Sequence, residues 1–495
     1  MTPDGRKTAV ILCAAGALIA AAIFLQRSAA SGAPAPGPTA RPEPAATPPA
    51  TPAPTPASCD APSGATARVS AGLGHGRAAA ALSAGKILRG AGGQLHAAFD
   101  LAADPAPAGA RQPLDLALVI DRSGSMEGDK LEHARAAAIA LIGRLDQRDR
   151  IALIQYDDDA QVVVPSVAAD SEGKQRLLSA VRQLTPGGST NLHGGMTLGR
   201  DEVLRTLAPG QVSRVILLSD GLANAGQSDP VVIADTARMA ADRGVRITAV
   251  GVGLEYNEDL MEAIAESGRG NYYYVREAAG LDGVLAGELS AAQATVASEV
   301  ELRLRPACTG VEIGEVSGYE SRREGDAVVI KMADLFGGDS RRLVVSLKVP
   351  DRVAGRQGAL VGELRYRDRA SGEAKTVALP LAVEVTDDRH AADDSVDRDV
   401  MAQVLKAQSA QSMRQAARAY QQGDATGAAA LLRKAHEEVK TEGGRYGIEA
   451  DVLEPALGEM DGFAAQVQAA PAASEAGKAA MKRGKSVARD LAKGK

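Results

Sequence analysis

Three oxygen-bearing side chains stand two residues apart at the end of an apolar run. In LVIDRSGSMEG (118–128), Asp121, Ser123 and Ser125 follow Leu118–Ile120. Farther on, the glycine-rich stretch PGGSTNLHGG offers Thr190, and RVILLSDG ends on Asp220. Two carboxylates and three hydroxyls, with no cysteine and no positioned histidine pair, make a hard-oxygen set. Such a set suits Mg2+, which takes octahedral oxygen ligands and keeps several of its waters. Mn2+ and Ca2+ are the alternatives. The five residues can act together only if the fold brings them to one edge.

The segments around them supply that edge. LDLALVID reads as a strand buried on both faces, and KLEHARAAAIALIGRL has helical period. Strand and helix signals then alternate as far as residue 290: the hairpin DRIALIQYDDDAQVVVP, the helix SEGKQRLLSAVRQL, the strand SRVILLSDG, the helix VVIADTARMAADRG and the strand VRITAVGVG. Repeated alternation implies an α/β doubly wound, mostly parallel sheet. Ligands of such sheets bind outside the carboxyl ends of the strands. Asp121, Ser123, Ser125 and Asp220 all follow strands, and the glycines around Thr190 let its loop fold over the same edge. Asp157–Asp159 reads as a charged hairpin tip, with a second cation site as the alternative. His193 reads as a surface histidine of the Thr190 loop, and Tyr272–Tyr274 as strand packing.

Outside this unit the patterns change. Residues 296–388 carry short alternating strands, among them VELRLRP, RRLVVSLKVP and ALVGELRYRD, which imply an antiparallel β-sandwich. Residues 66–110 are expected to add strands to it, so the α/β unit at 111–295 would be inserted between two parts of one sandwich. Residues 389–465 have helical period with a turn at Gly423–Asp424, implying a helical hairpin region. The tail, 466–495, is basic and is expected to be disordered and solvated.

The N-terminus reads as an export segment. Arg6 and Lys7 precede the uncharged run Ala9–Leu25, and a helix of that length spans roughly 25 Å, near the thickness of a hydrocarbon core. Residues 1–29 are therefore taken as a signal or membrane anchor, with cleavage after SAA (Ser28–Ala30) as the alternative. Residues 30–65 form a Pro/Ala/Thr-rich linker. The rest of the chain is expected outside the cytoplasm, anchored in the inner membrane facing the periplasm or secreted. Cys59 and Cys308 are the two cysteines of that part; disulfides persist in such compartments, and the two are expected to pair. A formal net charge of −6 over 495 residues argues against a nucleic-acid binder, which would show a strongly basic domain.

The D-x-S-x-S after the first strand, the Gly-rich loop with Thr190 and the S-D-G after a later strand resemble the von Willebrand factor A domain and its metal-ion-dependent adhesion site. The flanking sandwich is similar to that of the inter-α-trypsin inhibitor heavy chains. The resemblance implies that Ser123 and Ser125 hold the metal directly. Thr190 would bind it directly or through water, and Asp121 and Asp220 largely through water and hydrogen bonds. It also implies a protein partner whose Asp or Glu carboxylate completes the coordination. No G-x-S-x-G, H-E-x-x-H or P-loop is present, so no enzyme is expected. The resulting expectation is a non-catalytic, Mg2+-dependent adhesion module of the cell envelope. The alternative is an envelope structural or assembly factor in which the metal is an internal stabiliser.

Overall fold

The computed structural model describes Cys59, residues 61–105 and residues 111–494. The export segment 1–29 and the linker up to residue 58 lie outside the described residues. Four strands come first: β1 (Arg68–Gly72), β2 (Gly76–Leu82), β3 (Lys86–Leu88) and β4 (Gln94–Ala103). The α/β unit follows as β5 (Leu114–Asp121), α1 (Asp129–Arg144), β6 (Arg150–Tyr156), β7 (Ala160–Ala168), α2 (Ser171–Arg182), α3 (Leu192–Arg205), β8 (Val212–Ser219), α4 (Pro230–Asp242), β9 (Val245–Val252), α5 (Glu258–Ser267), β10 (Arg269–Val275) and α6 (Leu281–Gln293).

Its sheet has the order β10-β9-β8-β5-β6-β7. Every pairing is parallel except β6 with β7. Each residue of β5, β8 and β9 is buried, as the uninterrupted apolar runs require. Helices cover both faces. Leu141 of α1, Leu177 of α2 and Leu285 of α6 pack on one side; Met196 of α3, Ile233 of α4 and Met261 of α5 pack on the other.

The strands after this unit are β11 (Thr295–Pro306), β12 (Glu312–Val316), β13 (Arg322–Glu324), β14 (Ala327–Lys331), β15 (Leu335–Phe336), β16 (Ser340–Lys348), β17 (Gly355–Asp368) and β18 (Ala374–Thr386). One sheet runs β1-β2-β4-β16-β12 and the other β13-β14-β11-β17-β18-β3, with β15 beside β11. Phe99 of β4, before the α/β unit, pairs with Leu343 of β16, after it. The α/β unit is thus an insertion in one sandwich. The inner faces share a core that includes Phe99, Leu302, Val345, Leu364 and Leu381. Cys59 and Cys308 form a disulfide with a Cα–Cα distance of 5.0 Å, ordinary for the bond.

The C-terminal region holds α7 (Arg389–Asp393), α8 (Arg398–Gln421), α9 (Ala425–Arg445), α10 (Ala450–Ala469) and α11 (Glu475–Ala492). Gly423, at φ 90°, turns the chain between α8 and α9, and Asp424 caps α9 by accepting from Gly427 N. The expectation of a disordered tail at 466–495 is corrected here. Ala480, Ala488 and Ala492 of α11 are buried against α8 and α10 beside Tyr420 and Phe463. The basic face of α11 is paired rather than solvated: Lys482 meets Glu258 at 2.5 Å and Lys485 meets Asp259 at 2.7 Å. Sequence patterning showed the positive charges; their acidic partners lie more than 200 residues away and are invisible to a local reading.

Candidate metal centre

The edge is built from the end of β5. Asp121 is its last residue and is fully buried. Its Oδ1 accepts from Ser123 N at 2.9 Å, and its Oδ2 accepts from Ser219 Oγ, at the end of neighbouring β8, at 2.8 Å. A single 3-10 turn, Gly124–Met126, follows, pinned by the fully buried Met126. That turn presents Ser125 Oγ 3.2 Å from Ser123 Oγ. Ser125 Oγ in turn donates to Asp220 Oδ1 at 2.7 Å. Asp220 is also fully buried, and its Oδ2 is paired with Lys130 at 2.5 Å.

Thr190 arrives from the loop between α2 and α3. A Cβ placed on Gly221 would lie 3.2 Å from Thr190 Oγ1 and 3.4 Å from Ser125 Oγ. Both hydroxyls therefore share one small volume beside the backbone that follows Asp220. Asn224 fixes the loop: its Oδ1 accepts from Thr190 N at 2.8 Å, and its own N donates to Thr190 O at 3.2 Å. The structure thus places all five sequence-derived residues together at the carboxyl ends of β5 and β8.

Other residues hold this arrangement in roles that the sequence did not show. Asp157 and Asp158 do form a hairpin tip, but they brace the Thr190 loop. Asp158 Oδ1 accepts from Ser189 N at 2.9 Å, and Asp157 pairs with Arg122 at 2.5 Å. Any side chain on Gly187 or Gly188 would collide with these two carboxylates. The second glycine doublet, Gly194–Gly195, belongs to α3 and not to the loop. Gly195 and Gly199 sit in α3, where a Cβ would strike Tyr156 and Val119 respectively, so the glycines let α3 lie close on the sheet. His193 is likewise in the first turn of α3, with Nε2 3.2 Å from Thr236 Oγ1. The two GG doublets mark the loop and the helix alike in the sequence, and the single Gly199 stands outside both.

Electrostatically the edge is short of positive charge. Two buried carboxylates face one lysine. Burial pushes the Asp121 carboxyl up to about 6, against the hydrogen bonds from Ser123 and Ser219 that favour its charged form. Among the described residues no group of three His, Cys, Asp or Glu is gathered as a metal cluster; the convergent donors here are hydroxyls. An all-oxygen set with buried, under-compensated carboxylates behind it fits a hard divalent cation.

The family model described as von Willebrand factor type A domain matches residues 115–286. Residues 115–286 form a von Willebrand factor type A domain. The chain is 28% identical over 337 residues to "Uncharacterized protein sll0103" of Synechocystis sp., spanning 66% of this chain and 78% of that protein. It is 28% identical over 153 residues to inter-α-trypsin inhibitor heavy chain 4 of Mus musculus, spanning 30% of this chain but only 16% of that protein. Among solved structures, a von Willebrand factor type A protein from Catenulispora acidiphila aligns with a TM-score of 0.64 at 19% identity, over 81% of this chain and 90% of that one. That likeness is one of fold. A domains are commonly metal-dependent protein-interaction modules and often bind a divalent metal.

Proposed function

We propose that this protein is a non-catalytic, Mg2+-dependent protein-binding module of the cell envelope. The observation that carries the reading is the convergence of Ser123, Ser125 and Thr190 hydroxyls on one A-domain edge in front of buried Asp121 and Asp220. In this reading the serines and Thr190 hold the ion, Asp220 orients the Ser125 hydroxyl and Asp121 holds the backbone of Ser123. Because these donors are neutral hydroxyls, a bound Mg2+ would keep much of its charge uncompensated and would attract an Asp or Glu carboxylate of the partner. The uncharged run Ala9–Leu25 supports display outside the cytoplasm, as anchor or cleaved signal. Among the described residues no helix is long and apolar enough to cross a membrane.

The test is capture from envelope extract in Mg2+ against EDTA, with wild type, Ser123→Ala and Thr190→Ala as bait and circular dichroism as the folding control. Metal-dependent capture by wild type, weakened in both folded variants, supports the reading. Equal capture by all three rejects it.

A further inference from the structure

Lys130 is the second residue of α1 and reaches back over the edge. Its Nζ holds Asp220 Oδ2 at 2.5 Å while Ser125 holds Oδ1. Among the described residues no other Lys, Arg or His pairs with Asp121 or Asp220. A buried carboxylate without a counter-charge is costly, so the edge without a divalent ion depends on this ammonium. The same ammonium repels any cation brought to the hydroxyls in front of it.

Lys130 is free to yield. Its side chain is 32% exposed. It lies against Gly253, where a Cβ would stand 3.7 Å from Nζ. Gly253 opens the turn between β9 and α5, and that turn carries Glu255. Lys478 of α11 binds both oxygens of Glu255 at 2.9 Å. The Glu255 carboxyl is held below its usual range, first by Lys478 and in smaller part by Lys130. Glu255 thus lies within electrostatic reach of Lys130, on the same turn as Gly253.

We propose that Lys130 is a built-in counter-ion: it keeps the edge formed when no metal is present and sets how tightly a divalent cation binds. This rests on the metal-binding reading of the same edge. The lysine positions Asp220, and the cation must work against it.

The test is Mg2+ titration calorimetry and thermal unfolding on the metal-stripped chain, with Lys130→Met and Lys130→Arg. Methionine keeps the apolar stem and removes the charge. Lys130→Met should bind Mg2+ on the order of 10-fold more tightly, since loss of one nearby charge is worth about a factor of ten or more at short range. It should melt lower than wild type in EDTA and close to wild type in saturating Mg2+. Lys130→Arg should return affinity to the wild-type value. A Lys130→Met variant that folds only with Mg2+ also supports the proposal, and one that folds in neither condition overturns it. Equal or weaker Mg2+ binding by Lys130→Met, with wild type binding, overturns the counter-ion alone. No Mg2+ binding by wild type or either variant removes the metal reading and the counter-ion with it.

Discussion

Asp121 has no exposed surface, and that decides how the metal-free edge answers to pH. Its carboxyl sits at about 6 in the fold because burial penalises the charge, against an unfolded value of about 3.9. A raised carboxyl favours the folded state when protonated. Its contribution is fully present below the unfolded value and is lost as pH rises through about 6. The difference corresponds to a cost on the order of 3 kcal/mol at neutral pH. Asp121→Asn should therefore melt higher than wild type in EDTA at pH 7.5 and match it near pH 3.5. Thermal unfolding across that range decides it; parallel curves for the two proteins would show that Asp121 carries no such penalty. At the same scale, Thr190→Ala should fold normally yet lose about 10–100-fold in metal affinity, by analogy with changes to groups that orient metal ligands.

At the scale of elements, the strands were legible and the braces were not. β5, β8 and β9 are buried on both faces and announce themselves as apolar runs. The D-x-S-x-S turn and the Thr190 loop have local signatures. Asp157 and Asp158 looked like solvent-facing charge because the loop they brace is about 30 residues downstream. α11 misled for the same reason. Its Lys482 lies 3.7 Å from the centre of the Tyr256 ring, donates to Tyr256 O at 3.0 Å and pairs with Glu258, so a run of like charge is consumed by a distant acidic helix. Lys482→Ala should leave Glu258 buried with only Lys485, and breaking a buried pair costs about 3 kcal/mol or more. Hydrogen exchange should then accelerate in α5 and α11 together. Unchanged protection of α5 would show that α11 does not clamp the A domain.

At the scale of the whole molecule, the insertion was readable because the strand period shifts from two to continuous burial and back again. What composition could not supply was the pairing of β4 with β16, which needs contacts across about 240 residues of chain. The Cys59–Cys308 bond closes a loop of similar length, with a sequence separation of 249. In the chain-entropy model such a loop contributes roughly 5 kcal/mol as an upper figure. Cys308→Ser should accordingly lower the melting temperature without altering Mg2+ binding, because the bond lies in the sandwich and the metal edge in the inserted domain. A parallel loss of metal affinity would mean that the two parts are coupled. The central claim, that the β5–β8 edge is a metal site made of hydroxyls, has one most direct measurement: Mg2+ titration calorimetry of the metal-stripped chain, beside Ser123→Ala/Ser125→Ala. One ion per wild-type chain, abolished in the folded double variant, is the expected result. Wild type that binds no Mg2+ up to millimolar concentration, or a double variant that binds it equally well, would contradict the account.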